Sequence, residues 1–214
     1  MTSVALVLSG GSSARFGGKL PKQYQCINGK QVIAYTIEAL KASAGVDGIV
    51  IAAGVEYIDE LRRTYNTEVA IGGETRNESL RNGLEYIKVR FPECEKVFIN
   101  EAARPFITTD LVDNYFNLLG EYDAVITTQY ITDSLGCEGI HVTDRTGYYL
   151  IQAPEAFLFP PLYRCFEAKS PITATNQQLP PECKIYRNFE FRNNFKITYP
   201  EDREIAEKLM RCSR

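Results

Sequence analysis

A run of small and basic residues, Ser9-Gly10-Gly11-Ser12-Ser13-Ala14-Arg15-Phe16-Gly17-Gly18-Lys19-Leu20-Pro21-Lys22, follows directly on the apolar stretch Val4–Leu8. Small residues let the backbone approach an anion, and successive N–H groups can form a concave nest for phosphate oxygens. Arg15 and Lys22 add two full positive charges beside that nest. The chemistry this suits is triphosphate binding, with the cations offsetting charge that develops on a leaving phosphate. Two rival phosphate loops do not fit. The G-x-x-x-x-G-K-[ST] pattern fails because Arg15 stands five positions after Gly10, and Gly18-Lys19 is followed by Leu20 rather than a hydroxyl. The G-x-G-x-x-G pattern fails because neither Gly10 nor Gly11 has a glycine two positions on, which disfavours a dinucleotide-dependent dehydrogenase. The single histidine, His141, lies in a β-like run and reads as structural, so Ser-His-Asp triads and His-rich metal cages are disfavoured.

Such a loop needs a strand before it and a sheet around it. Val4–Leu8 is apolar on both faces and suits a central parallel strand, whose carboxyl end is where ligands bind in this fold class. The alternation continues. Gln31–Ala42, Ile58–Tyr65, Glu78–Arg90 and Leu111–Leu119 have helical character, and Gly48–Ala53, Glu68–Ile71, Lys96–Ile99 and Tyr122–Thr127 read as strands. This order predicts an α/β domain, a three-layer α/β/α Rossmann-like arrangement on a mostly parallel sheet. From about 129 to 150 the pattern breaks into β-branched and aromatic residues with Gly136, Gly139 and Gly147 as turn points, predicting a projecting β-arm directed at a partner subunit. Beyond Pro154 the expected elements are a helix over 155–167, an irregular stretch over 170–183, short strands at 184–186 and 195–198, and a closing helix over 200–210.

The 214 residues fit one domain, 1–214, at about 150 residues per domain, with no linker long enough to divide them. With 24 basic and 27 acidic side chains, the net charge of −3 lacks the basic excess usual for a nucleic-acid binder. No apolar run approaches membrane-spanning length, and the N-terminus has no signal-peptide pattern. The six cysteines contain no C-x-x-C pair, so the expectation is reduced thiols in a cytoplasmic protein without membrane contact.

The segment LSGGSSARFGGKLPKQY (8–24) resembles the nucleotide loop of the cytidylyltransferases that act on methylerythritol phosphate or ribitol phosphate. Five further segments follow in the family's order: GGETRNESLRNGL (72–84), NEAARPF (100–106), TDS (132–134), VTDRTGYYLIQAPEAF (142–157) and NNFKITYPED (193–202). The resemblance implies a nucleotidyltransferase fold and transfer of CMP from CTP to a polyol or sugar phosphate, with release of pyrophosphate. It implies isoprenoid-precursor or cell-surface-polymer synthesis as the setting, and a homodimer whose β-arm reaches the partner's site. By the same resemblance Arg15, Lys22 and Lys196 are catalytic cations. Leu8, Ser9, Gly10, Gly11, Ser12, Ser13, Gly72, Gly73, Arg76, Ser79, Glu101 and Ala102 bind the nucleotide, and Arg104, Ser134 and Arg145 the acceptor.

The sequence departs from the family pattern at the expected magnesium ligands. Glu101 stands for the usual Asp, and Asn193 replaces an acidic residue, which leaves Glu101 as the protein's ligand for Mg2+. Ser134, Ala153, Asn176 and Gln177 also differ from the pattern around the acceptor. Asn193, Asn176 and Gln177 support a competing reading, a nucleotide-binding or assembly protein of this fold without transferase activity.

Overall fold

The computed structural model describes residues 1–11, 16, 20–139 and 144–212. Ser12, Ser13, Arg15 and His141, on which expectations were placed, lie outside the described residues. Strand β1 (Thr2–Ser9) is flanked in parallel by β4 (Gly48–Ala53) and β6 (Cys94–Glu101), and β5 (Glu68–Ile71) extends the sheet beyond β4. On the other side of β6 come β8 (Tyr149–Leu158), β7 (Ala124–Tyr130) and β9 (Ile185–Asn188), giving the order β5-β4-β1-β6-β8-β7-β9. Only β8 runs against its neighbours, so the main sheet is mostly parallel.

Helices α1 (Val32–Ala42), α2 (Ile58–Tyr65) and α4 (Thr109–Leu118) cover one face, and α3 (Arg76–Arg90) and α5 (Phe159–Cys165) the other. Alternation along β1 explains the two layers. Ala5 and Val7 pack with Ile33, Ile37, Leu40, Val112 and Tyr115, whereas Val4 and Leu6 pack with Leu80, Leu84, Ile87 and Leu162. A smaller cluster, Ile27, Val32, Ile197 and Ala206, seats α6 (Asp202–Cys212) and the chain before it against α1. No helix among the described residues is long and apolar enough to cross a membrane.

Two expectations are corrected. The helix expected over 155–167 is strand β8 as far as Leu158, and helix only over Phe159–Cys165. Ala153, Ala156 and Phe157 are buried between β6 and β7, and the polar Glu155 is tolerated there through partners described below. Pro160 and Pro161 then suit a first helical turn, where a missing N–H costs nothing. Residues 195–198 form no strand; they dock on the turn after β6 through Ile197 N–H to the Ala103 carbonyl at 2.9 Å. The outer ends of β7 and β8 pair from Thr127↔Gln152 to Tyr130↔Tyr149, and the described remainder of the arm, beyond this ladder, is mainly irregular. A small hairpin absent from the sequence reading joins β2 (Cys26–Ile27) to β3 (Lys30–Gln31). Its turn, Asn28-Gly29, has φ of 46° and 78°, the left-handed pair that favours Asn-Gly.

Phe98 on β6 is fully buried, 6.0 Å between ring centroids from both Tyr115 and Phe116. Phe98→Ala is expected to lower unfolding stability by about 3–5 kcal/mol in urea titration.

Candidate functional site

The carboxyl ends of β1, β4, β5 and β6 meet at one rim of the sheet. Leu8 pairs with Glu101 and Ser9 with Ala53, while Gly72 N–H donates to the Ala53 carbonyl at 2.7 Å. A cavity of about 350 Å³ opens at this rim. Its wall includes Leu8, Ser9, Gly10, Gly11, Lys22, Gly73, Arg76, Ser79, Glu101, Ala102 and Lys196. Eleven residues singled out in the sequence are therefore brought together from four of its six segments. Gly72 stands directly behind Gly10: a Cβ added to Gly10 would lie 3.6 Å from the Gly72 Cα.

Close backbone approach explains two of the glycines. A Cβ on Gly10 would come within 2.9 Å of Ser79 Oγ, and one on Gly73 within 2.2 Å of the Glu78 Cβ. Ser79 Oγ accepts from Gly73 N–H at 3.0 Å and lies in the first turns of α3. That helix begins in a capping box. Thr75 Oγ1 accepts from Glu78 N–H at 3.1 Å, and Glu78 Oε2 accepts from Thr75 N–H at 3.0 Å. The 72–75 loop and the first turn of α3 are thus fixed by local contacts beside the cavity.

Other contacts around the cavity come from side chains that the sequence reading did not single out. Gln23 donates from Nε2 to the Ser9 carbonyl at 2.7 Å and the Gly11 carbonyl at 3.2 Å. Ser9 Oγ donates to the Tyr24 hydroxyl at 2.9 Å. These bonds hold the short helical turn Lys22–Tyr24 against the end of β1 and so bring Lys22 to the cavity. The only sequence signal was their place next to Pro21-Lys22. Asn194 is likewise hidden in its pair with Asn193. It is buried, donates to Gln152 Oε1 at 2.9 Å and the Ala153 carbonyl at 2.7 Å, and its own carbonyl accepts from Arg104 Nη1 at 2.8 Å. Asn193 is exposed and forms no part of the cavity wall.

Glu101 is the electrostatic centre. Lys196 Nζ is 2.5 Å from Oε2, Arg76 Nε 3.2 Å from Oε1 and Arg104 Nε 3.5 Å from Oε2. Burial alone would push the Glu101 carboxyl up, but the three cations outweigh it and hold it at about 2. Arg104 sits behind Glu101 rather than in the cavity wall, and burial lowers its own pKa. Glu155 is also buried near Arg76; burial pushes its carboxyl up against the pull of that guanidinium.

The remaining acceptor residues are elsewhere. Arg145 donates to the carbonyls of Thr132 and Asp133, and together with Ser134 it lies on the arm, outside the cavity. Among the described residues no group of three or more His, Cys, Asp or Glu side chains could hold a metal. Glu101 and Glu74 are the acidic residues of the cavity wall; Glu101 is the one paired with Lys196, and its ionised state suits a magnesium ion that takes its other ligands from substrate phosphates and water.

Residues 3–212 match the family described as 2-C-methyl-D-erythritol 4-phosphate cytidylyltransferase. A protein of that name from Caldicellulosiruptor bescii is 32% identical over 230 residues, covering 98% of this chain and 98% of its own length. Another from Lachnospira eligens is 30% identical, covering 95% and 97% respectively. The 4-diphosphocytidyl-2C-methyl-D-erythritol synthase of Anaerococcus prevotii has the same fold, with a TM-score of 0.82 at 22% identity over 98% of this chain and 96% of that one. The Thermus thermophilus 2-C-methyl-D-erythritol 4-phosphate cytidylyltransferase also shares it, with a TM-score of 0.78 at 21% identity over 99% and 100%.

Because the Glu101 pKa is depressed on folding, its stabilising contribution is complete above the ordinary carboxylate range and is lost as pH falls from there toward about 2. Glu101→Gln is therefore expected to destabilise the protein more at pH 7 than near pH 2.5, read from urea unfolding at both pH values.

Proposed function

The chain belongs to the 2-C-methyl-D-erythritol 4-phosphate cytidylyltransferase family, and on that premise we propose that it transfers CMP from CTP to 2-C-methyl-D-erythritol 4-phosphate, a step in isoprenoid precursor synthesis. A phosphate oxygen of the acceptor attacks the α-phosphorus of CTP. The bond from that phosphorus to the bridging oxygen breaks, and pyrophosphate leaves with the electron pair. The attacking group is already an anion, so no general base is needed.

The observation that carries this reading is the cavity wall itself. Small residues, Gly10, Gly11 and Gly73, and the cations Lys22 and Lys196 line one space of about 350 Å³. Backbone N–H groups there can position a triphosphate, and the 72–79 loop offers polar groups to a base edge. Lys22 is assigned to the leaving pyrophosphate and Lys196 to charge at the α-phosphate, where preorganised cations act most strongly. Arg15 is assigned to the triphosphate with Lys22. Glu101 would hold Mg2+ together with substrate phosphates, and the ion would supply further charge neutralisation.

Ser134 and Arg145 are assigned to an acceptor phosphate bound at a partner's cavity, because their arm lies outside the cavity of their own chain. This requires a homodimer. Tyr130, Tyr148 and Leu150, which are about half to two-thirds exposed around the arm, give such a contact apolar surface.

Pyrophosphate release from CTP with magnesium is expected with 2-C-methyl-D-erythritol 4-phosphate and to be far slower with ribitol 5-phosphate. The reverse preference would move the acceptor assignment, and no release with either would favour a nucleotide-binding protein without transferase activity. Lys196→Ala is expected to lower kcat by about 10²-fold or more. Arg145→Ala should raise KM for the acceptor while leaving KM for CTP nearly unchanged, and sedimentation should show a dimer.

A further inference from the structure

Glu155 lies within the sheet, opposite Ile99 on β6 and Ile126 on β7, and is 1% exposed. A carboxylate this deep is strongly disfavoured without a partner. Its Oε2 accepts from Arg76 Nη2 at 3.3 Å and from Thr175 Oγ1 at 3.0 Å, while Oε1 has no hydrogen-bond partner. Arg76 is its cationic contact, and that cation is shared. Arg76 Nε donates to Glu101 Oε1 at 3.2 Å, and Nη1 to the Thr173 carbonyl at 3.0 Å and Thr175 Oγ1 at 3.3 Å.

A guanidinium has five N–H donors in a rigid fork. With Nε, Nη1 and Nη2 all directed at protein acceptors, Arg76 has little left to offer a substrate phosphate. Its place between two carboxylates from neighbouring strands makes it a brace. One end of the brace is Glu101, at the cavity wall; the other is Glu155, which the wall does not include.

We propose that Glu155 is a positioning residue for CMP transfer: it anchors Arg76, and the anchored guanidinium holds Glu101 Oε1 in place while Lys196 takes Oε2. The positioning role rests on the transferase reading; the anchoring does not. Without charge at position 155, Arg76 has only Glu101 to pair with and draws that carboxylate away from Lys196. What suffers is the alignment of the reacting groups, so the loss falls on kcat rather than on CTP binding.

Four proteins test this: the unsubstituted chain, Glu155→Gln, Arg76→Gln and the double variant. Arg76→Gln leaves Glu155 buried without its cation and is expected to lower the melting temperature by about 6 °C or more. Adding Glu155→Gln to it should raise the melting temperature again. Glu155→Gln alone should shift it by less than about 2 °C, because Arg76 keeps Glu101. In steady-state transfer from CTP to 2-C-methyl-D-erythritol 4-phosphate, Glu155→Gln should lower kcat about tenfold with KM for CTP changed less than about twofold. Glu155→Asp, which keeps the charge, should recover part of that loss. Additive melting effects would overturn the anchoring. An unchanged kcat in Glu155→Gln, or a loss matched by unfolding, would overturn the positioning role. If the unsubstituted protein turned over no acceptor, the transferase reading and the positioning role would fall together, and the melting cycle would still decide the anchoring.

Discussion

The rim of the sheet is organised by one negative charge largely withdrawn from water. Glu101 stays ionised at its depth because Lys196, Arg76 and Arg104 face it, and each of those cations comes from a different part of the chain. The dependence runs both ways. A cluster of three cations without a carboxylate would repel itself, and a carboxylate this buried without cations would take up a proton. The ion cluster is therefore a tertiary contact in its own right. It fastens the start of α3 and the segment before α6 to the end of β6.

Parallel strands make that fastening possible. They deliver their carboxyl ends to a single rim, so Ser9, Ala53, Ile71 and Glu101 arrive side by side although they lie tens of residues apart. The apolar layers on either face supply most of the stability, which leaves the rim free to carry glycines and charges that the layers themselves could not hold. Bonds from Gln23, Tyr24 and Asn194 convert this crowded rim into a defined cavity.

Periodicity revealed elements whose environment is uniform. The fully apolar Gly48–Ala53 and the amphipathic Ile58–Tyr65 were expected with the bounds they have. It failed at Tyr149–Leu158, where a buried glutamate interrupts the pattern and a distant arginine and threonine make it tolerable. The site shows the same division. Lys22, Glu101 and Lys196 stand out because their segments carry a recognisable order of residue types. Glu155, Gln23 and Asn194 do not, because each matters through a partner that no local spacing reveals. Asn193 drew attention by its place in a pattern, yet its buried neighbour Asn194 makes the contacts.

The reversed direction of β8 has a consequence for how such a protein can change. β7 runs with the parallel strands and finishes at their carboxyl rim, and β8 starts back from it. Whatever joins the two must emerge beside the cavity. The described residues of that connection belong to none of the buried core clusters, so residues can be added, removed or exchanged there while the layers beneath stay intact. The fold thereby separates two evolutionary problems: the cavity side of the rim can remain constant while the arm is free to be rebuilt.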